Sequence, residues 1–446
     1  MKGAYSEHKS RYDDHNDLVE EAYLGASGEP VASEKGGARH TRRYDEHNAL
    51  VEEAWFGPDG EPVLSDEGWA RLINVNDPHG RAPETTWFGV DGKTVIVKQG
   101  YAKRTRRYGD GGQVIEEAYF DTDGKPAISE DGYARITKAY DALGRIVGWA
   151  HFGAQGEKVI GTKEDYHRAA VVPDERGNRL AFAAFGPDDK PKLLEEGYSR
   201  RVRRYDINDH LVDDAFWGVN DEPVVSSDAG YSRATQVFDS HGKIIEVAFF
   251  GIDGKPMVGK NGYAKVADRY NDYSDLIEEA YFGADGEPIA RAEGYARLTR
   301  GIDRDGRIIE ETYFGTDGKP VKQKRGYAKL THRYDAQGGL VEDAYFGPGG
   351  EPVLNEQGYS RKVSVKDGRG FDIETAYFGT DGEPILNDRG FARAKGVNDN
   401  RGREVEWSYF GIRDEPIIGK NNNRYHRATK KIGCSRQCAR VCNIRS

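Results

Sequence analysis

The side chains best suited to hold a ligand in this chain are paired aromatic residues that recur at a fixed interval. Tyr119-Phe120, Tyr281-Phe282, Tyr313-Phe314, Tyr345-Phe346 and Tyr377-Phe378 each close a short run that ends in a small residue. On an alternating strand one ring of each pair faces the sheet core and the other faces away. The outward ring could stack on a sugar or on another chain; the alternative is that both rings pack between repeats.

Histidine offers a second chemistry. His8 and His40 occupy equivalent positions one repeat apart, as do His15 and His47, so stacked copies would bring each pair together. A zinc site needs three or four ligands of suitable geometry, and inheritance by repeat duplication explains the pairs more simply. Carboxylates are too numerous for any one acid–base pair to stand out. Asp121-Thr-Asp-Gly124 has the opening of a calcium loop, but the liganding positions that should follow are missing. There is no Ser-His-Asp set, His-Glu-x-x-His helix or phosphate-binding loop. The sequence therefore assigns no catalytic residue, no metal and no cofactor, and an enzyme is not expected.

These residues sit on a repeat. Its opening position falls at Tyr5, Gly37, Trp69, Tyr101, Tyr133, Tyr166, Tyr198, Tyr231, Tyr263, Tyr295, Tyr327, Tyr359, Phe391 and Tyr425. The spacing is 32 residues, apart from two steps of 33 and a last one of 34, which makes about thirteen copies. The unit runs G-Y-A-R-x-T-x-R-Y-D-x-x-G-x-x-x-E-E-A-Y-F-G-x-D-G-x-P-V, followed by four variable residues. In the copy from Tyr327 to Tyr334, Ala328, Leu330, His332 and Tyr334 alternate with Tyr327, Lys329, Thr331 and Arg333, the period of a half-buried strand. An Asp-Gly turn, Asp335 to Gly338, leads to a second strand over Gly339 to Phe346, so each unit is predicted to be an antiparallel hairpin. The proline of the next turn removes a ladder donor, which suits an edge or a strand's first residue. No stretch holds a 3.6-residue period, so helix should be minor.

A lone hairpin is marginal in water. Successive copies must therefore bury one another's rings, and the fold expected is an all-β, elongated or superhelical solenoid of stacked antiparallel hairpins. Basic residues fall on the first strand (Arg104, Arg106, Arg107; Arg201, Arg203, Arg204) and acids on the second (Glu116, Glu117; Asp213, Asp214). Their simplest role is cross-strand pairing, at about 0.2–1 kcal/mol each; a functional groove of one sign is the alternative.

Composition narrows the partners. With 37% hydrophobic residues and 31% charged, the 446-residue chain is too polar for a deep core, yet its 26 Tyr, 17 Phe and 6 Trp argue against disorder. The net charge of −10 offers no basic face for nucleic acid. No run of 18 apolar residues exists to span a membrane, and the N-terminus has no secretory h-region. The hairpins are assigned to residues 1–429. Residues 430–446 form a basic, non-repeating tail with Cys434, Cys438 and Cys442 at a spacing that would align three thiols on one helical face, though no fourth ligand is evident. A start inside a unit and this abrupt change of character are expected of a fragment. A signal peptide, anchor or effector domain would then lie elsewhere, and the compartment stays open between cytoplasm and cell surface.

Two resemblances attach to these motifs. The Tyr-Phe-Gly-x-Asp-Gly-x-Pro core, Tyr281 to Pro288 and Tyr377 to Pro384, resembles the hairpins of glucan-binding and choline-binding cell-wall repeats. Those families imply a β-hairpin solenoid with sugar or choline held between aromatic side chains. The Tyr-Asp-x-x-Gly element, Tyr140 to Gly144 and Tyr334 to Gly338, is similar to the YD repeats of RHS-type proteins, whose strands wind into shells around toxin domains. The 32-residue unit is longer than a usual YD repeat, tandem Trp-Tyr pairs of the choline type are missing, and neither an RHS core-end motif nor a toxin domain is present. The expected function is a non-catalytic binding or scaffold surface for polysaccharide or a protein partner; the alternative is an RHS-like shell segment of a larger secreted toxin or surface protein.

Overall fold

Alternating side chains and Asp-Gly turns leave the chain one compact option per unit, and it takes it. The computed structural model describes residues 5–399, 401–418 and 427–429. Among these there are 27 strands, paired antiparallel, and no helix. The protein is all-β and built of tandem hairpins. The chain divides into two compact units, Met1–Asp228 and Ala229–Ser446. Tyr425, Lys430 and the three cysteines of the tail lie outside the described residues.

Within the second unit the strands Lys329–Tyr334 and Leu340–Phe346 show the rule. Lys329 lies opposite Phe346, Leu330 opposite Tyr345, His332 opposite Asp343 and Arg333 opposite Glu342; the register then slips by one before Tyr334. The preceding hairpin joins through Glu310 to Thr331 and Thr312 to Lys329. The first unit repeats this with Lys103–Tyr108 and Val114–Phe120.

Alternation sorts the side chains onto two faces. On one, buried Leu330 and half-buried Tyr345 form a row with their counterparts; on the other, Lys329 and Arg333 meet Phe346 and Glu342. Each hairpin then turns through a tight four-residue reversal, most often Gly-x-Asp-Gly. In the turn from Gly315 the N–H of Gly318 donates to the Gly315 carbonyl at 3.1 Å, with Gly318 at φ 75°, a conformation that excludes most side chains. Pro320 forms a single bridge to Phe314, and the Val321 N–H donates to the Tyr313 carbonyl at 2.9 Å. The chain thus folds back over the ring face, where Val97 and Val353 are buried. These loops also bond to one another: the Lys324 N–H donates to Glu293 O at 2.9 Å and the Glu130 N–H to Gln99 O at 2.8 Å.

The opening tyrosine departs from its expected place in the strand. Tyr327 precedes Lys329–Tyr334 and lies on the return loop, where its ring stands 5.8 Å from Tyr313 and 4.9 Å from Tyr345. Loop and strand rings alternate in this way from Tyr231 to Tyr409 in the second unit. In the first unit Gly37 stands at the opening position, where a β-carbon would meet the Phe56 carbonyl oxygen at 2.9 Å and Trp55 Cε3 at 3.0 Å.

Candidate binding cleft at an interruption of the repeat

In regular copies the chemistry-bearing residues are engaged by the fold. The Asp of the Tyr-Asp element holds its turn: Asp335 Oδ1 accepts the N–H groups of Gln337 and Gly339 at 3.0 and 2.7 Å. Asp121 does the same for Asp123 and Lys125, both at 2.9 Å, so its carboxylate organises a turn. The Tyr334 hydroxyl donates to Ile308 O, 26 residues back, at 2.9 Å.

The aromatic pairs are split between the two faces. Tyr119, Tyr281 and Tyr313 are buried and Tyr345 and Tyr377 half-buried, all in the ring rows. Burial pushes the hydroxyls of Tyr119, Tyr313 and Tyr345 well above the ordinary tyrosine range. Their partners lie half-buried on the opposite face beneath cations: Lys103 over Phe120 at 5.8 Å, Lys265 over Phe282 at 4.7 Å, Arg297 over Phe314 at 4.1 Å and Arg361 over Phe378 at 4.4 Å. Phe346 lies opposite Lys329. The ten residues are not gathered at one point; they recur as a row on each face.

The histidines that were paired by sequence are partly brought together. Glu21 reaches His8 Nε2 and His40 Nδ1, both at 3.3 Å, and His40 Nε2 meets Glu53 at 2.8 Å. His40 stacks on Trp55 at 3.9 Å. His15 and His47 sit exposed in turns. Among the described residues, no group of three or more His, Cys, Asp or Glu is placed to hold a metal ion.

Charge pairing follows the repeat as well. On the ring face Arg106 bonds Glu117 at 2.6 Å, Arg42 bonds Glu53 at 3.2 Å and Arg300 bonds Glu311 at 3.1 Å. Burial works to raise the Glu117 carboxyl, but Tyr119 and Arg106 bond it and hold it below the usual range. On the other face Arg107 bonds Glu116 at 3.4 Å and Arg204 bonds Asp213 at 3.3 Å. Arg201 and Arg203 both bond Asp214, at 2.5 and 3.5 Å. Arg104 instead lies over Trp87 at 5.5 Å.

The carboxylate of the Arg106–Glu117 pair is replaced by Thr85, Val247, Thr375 and Trp407 in other hairpins, and by rings in two consecutive hairpins of the first unit. Where Glu117 faces Arg106, Trp149 faces Lys138 and Phe182 faces Val171. The carboxylates are gone, and half-buried rings stand in their place. Trp149 lies 6.2 Å from Tyr166 and 6.5 Å from Phe182, and Tyr166 meets Phe182 edge-on at 5.8 Å. A cleft of about 650 Å³ opens here, lined by Lys138, Arg145, Trp149, Glu164, Pro173 and Arg179 among others. A smaller hollow of about 110 Å³ adjoins it through the shared Arg179, and is lined by Phe182, Tyr198, Arg201 and Arg203.

Arg145 is committed to structure: its Nε bonds Asp141 at 2.7 Å, and it also donates to the Asp174 carbonyl. Burial pushes the Tyr166 hydroxyl up to about 12, with Glu164 adding to the effect. Burial also lowers the imidazole of fully buried His151, against the pull of Glu164. Arg179 is exposed at a place that Val114 and Leu211 occupy in other hairpins.

The sequence reading missed this cleft, though it carried a signal. The motif Glu-Glu-Ala-Tyr-Phe becomes Gly148-Trp-Ala-His-Phe152 and then Ala181-Phe-Ala-Ala-Phe185. One of the two longer steps, from Tyr133 to Tyr166, adds its extra residue in the loop that carries Glu164.

No family model matches the chain, and no curated protein matches it. Among solved structures, the crystal structure of TcdB2-TccC3-TEV is similar over 95% of this chain and 19% of its own, at 10% identity and a TM-score of 0.36. The crystal structure of TcdB2-TccC3-Cdc42 is similar over 94% of this chain and 22% of its own, at 11% identity and a TM-score of 0.25. A Photorhabdus luminescens Tc holotoxin pore is similar over 94% and 23%, at 12% identity and a TM-score of 0.23. The chain spans about a fifth of the length of these proteins. At such TM-scores nothing about its function follows from them.

Proposed function

We propose that this chain is a non-catalytic binding protein, a solenoid of stacked hairpins of 32-residue period whose ligand seat is the cleft at Trp149 and Phe182. One observation carries the reading. At Trp149 and Phe182 two successive hairpins put rings where Glu117 stands in a regular copy, with Trp149 lining an open cleft and Phe182 the hollow beside it. Concave sites with aromatic walls and a few convergent polar groups are the usual seats of ligands. The cation-capped phenyl row on the opposite face supplies a scaffold surface along each unit.

A glycan array and affinity gels cast with polysaccharides test this reading. Wild-type chain is expected to be retained, and a Trp149→Ala, Phe182→Ala variant with unchanged thermal unfolding is expected to lose retention. Retention that survives both changes would move binding away from the cleft. No retention on any glycan would remove polysaccharide as the ligand.

A further inference from the structure

We infer that the cleft takes an anionic carbohydrate, with Trp149 and Phe182 against the apolar faces of its sugar rings and Lys138 and Arg179 on its acidic groups. The inference rests on the binding reading above and adds the ligand's chemical class.

The cations argue for it. On the same face of flanking hairpins, Arg106 is neutralised by Glu117 and Arg203 by Asp214. Lys138 occupies the position of Arg106 but faces Trp149, and among the described residues neither Lys138 nor Arg179 forms an ion pair. Two unpaired cations beside half-buried rings form a recognition element for an acidic group on an otherwise apolar surface, since a guanidinium binds carboxylate or sulfate oxygens two at a time and an ammonium as a point charge.

The rings argue for sugar. Trp149, Tyr166 and Phe182 are mutually inclined, at 56°, 44° and 67°, so they present several short facets instead of one flat wall. A pyranose has an apolar C–H face and a polar rim, which suits such facets. Lys138 and Arg179 sit on the first and fourth of adjacent strands, about 14 Å apart at about 4.8 Å per strand, room for a short oligosaccharide.

Other polyanions fit less well. A peptide that binds by adding a strand needs an open sheet edge. Here Ile146–Phe152, Arg168–Pro173 and Arg179–Phe185 are each paired on both sides, so no edge is open. A nucleic-acid strand needs a continuous basic track, whereas the unpaired cations here are two, Lys138 and Arg179, among the residues lining the cleft.

The test uses variants that restore the regular repeat and therefore preserve folding: Trp149→Glu, which supplies Lys138 with the carboxylate that Arg106 has, and Arg179→Leu, the residue of the next hairpin. Lys138→Gln completes the set. Binding of a short oligogalacturonate to the full chain is measured by calorimetry, beside its carboxyl-reduced neutral counterpart, poly-glutamate and oligothymidylate. Oligogalacturonate is expected to bind and to weaken steeply with added salt. Lys138→Gln and Arg179→Leu should each reduce affinity roughly tenfold, Trp149→Glu should abolish it, and the neutral oligomer should bind at least about tenfold more weakly.

Equal binding of the neutral oligomer, unmoved by Lys138→Gln and Arg179→Leu but lost in Trp149→Glu, would overturn the anionic class and leave the binding reading standing. Stronger binding of poly-glutamate or oligothymidylate, with the same sensitivity to the variants, would replace sugar by peptide or nucleic acid. No binding of any of the four would overturn the anionic class, and the glycan array then decides the binding reading separately.

Discussion

Asp268 faces Glu279 across its hairpin, where other copies set a cation against a carboxylate. Burial, and then Glu279, push the Asp268 carboxyl up to about 6, with Arg300 opposing. Arg300 is itself bonded to Glu311, and Asp268 Oδ1 is buried without a hydrogen-bond partner. The folded pKa lies above the unfolded value of about 3.9, so the native state holds this proton more tightly than the unfolded chain. The stability this contributes is present at low pH and is lost as pH rises from about 4 to about 6. Asp268→Asn is therefore expected to stabilise the protein by about 1 kcal/mol at pH 7, a figure discounted for partial exposure, and to be neutral at pH 4. Urea titration at both pH values checks it; an equal effect at the two would dismiss the repulsion. Glu53 and Glu117 act in the opposite sense: bonds from His40 and Arg106 hold them low against burial, so their stabilisation fades as pH falls.

At the scale of the element, the Tyr-Asp motif does two jobs. Its Asp as a turn-former was legible in the sequence, because an Asx turn is made within five residues. The task of its Tyr was not, since the acceptor belongs to the preceding hairpin: Tyr334 to Ile308 O and Tyr140 to Val114 O at 2.9 Å, Tyr44 to Leu18 O at 3.2 Å. Two copies replace the ring and keep the bond, as Asn76 donates to Leu50 O at 3.1 Å and Asn398 to Asp372 O at 2.9 Å. Tyr334→Phe should cost about 1 kcal/mol by leaving that carbonyl without its donor, and Tyr334→Asn should recover part of the loss. Thermal unfolding of the three proteins decides it. No difference between Tyr334→Phe and the parent would show that the bond contributes nothing to stacking.

At the scale of the molecule, copies within each unit meet their neighbours through strand ladders, ring contacts and loop-to-loop bonds, so a unit's stability should be close to a sum of repeat and nearest-neighbour contributions. Removing residues 295–326, one full period, is expected to join the hairpin before it to an equivalent one. The shortened protein should keep its strand content per residue and unfold cooperatively, which circular dichroism during heating will report. A shortened protein that unfolds without cooperativity would contradict the additive picture.

The sequence by itself determined the tandem hairpins, their turns and the two-faced alternation of rings and charges, because each of these is local. Period-two patterning, the φ that glycine permits and the reach of an Asp side chain all act within one unit. Only the tertiary structure decided which rings remain reachable. Tyr281 was a candidate for ligand contact and is buried, because its own loop and the adjoining tyrosines cover it. Trp149 and Phe182 were unremarked and border an open cleft and the hollow beside it, because burial depends on what the neighbouring hairpin places alongside, and there it places Lys138, Val171 and Arg179.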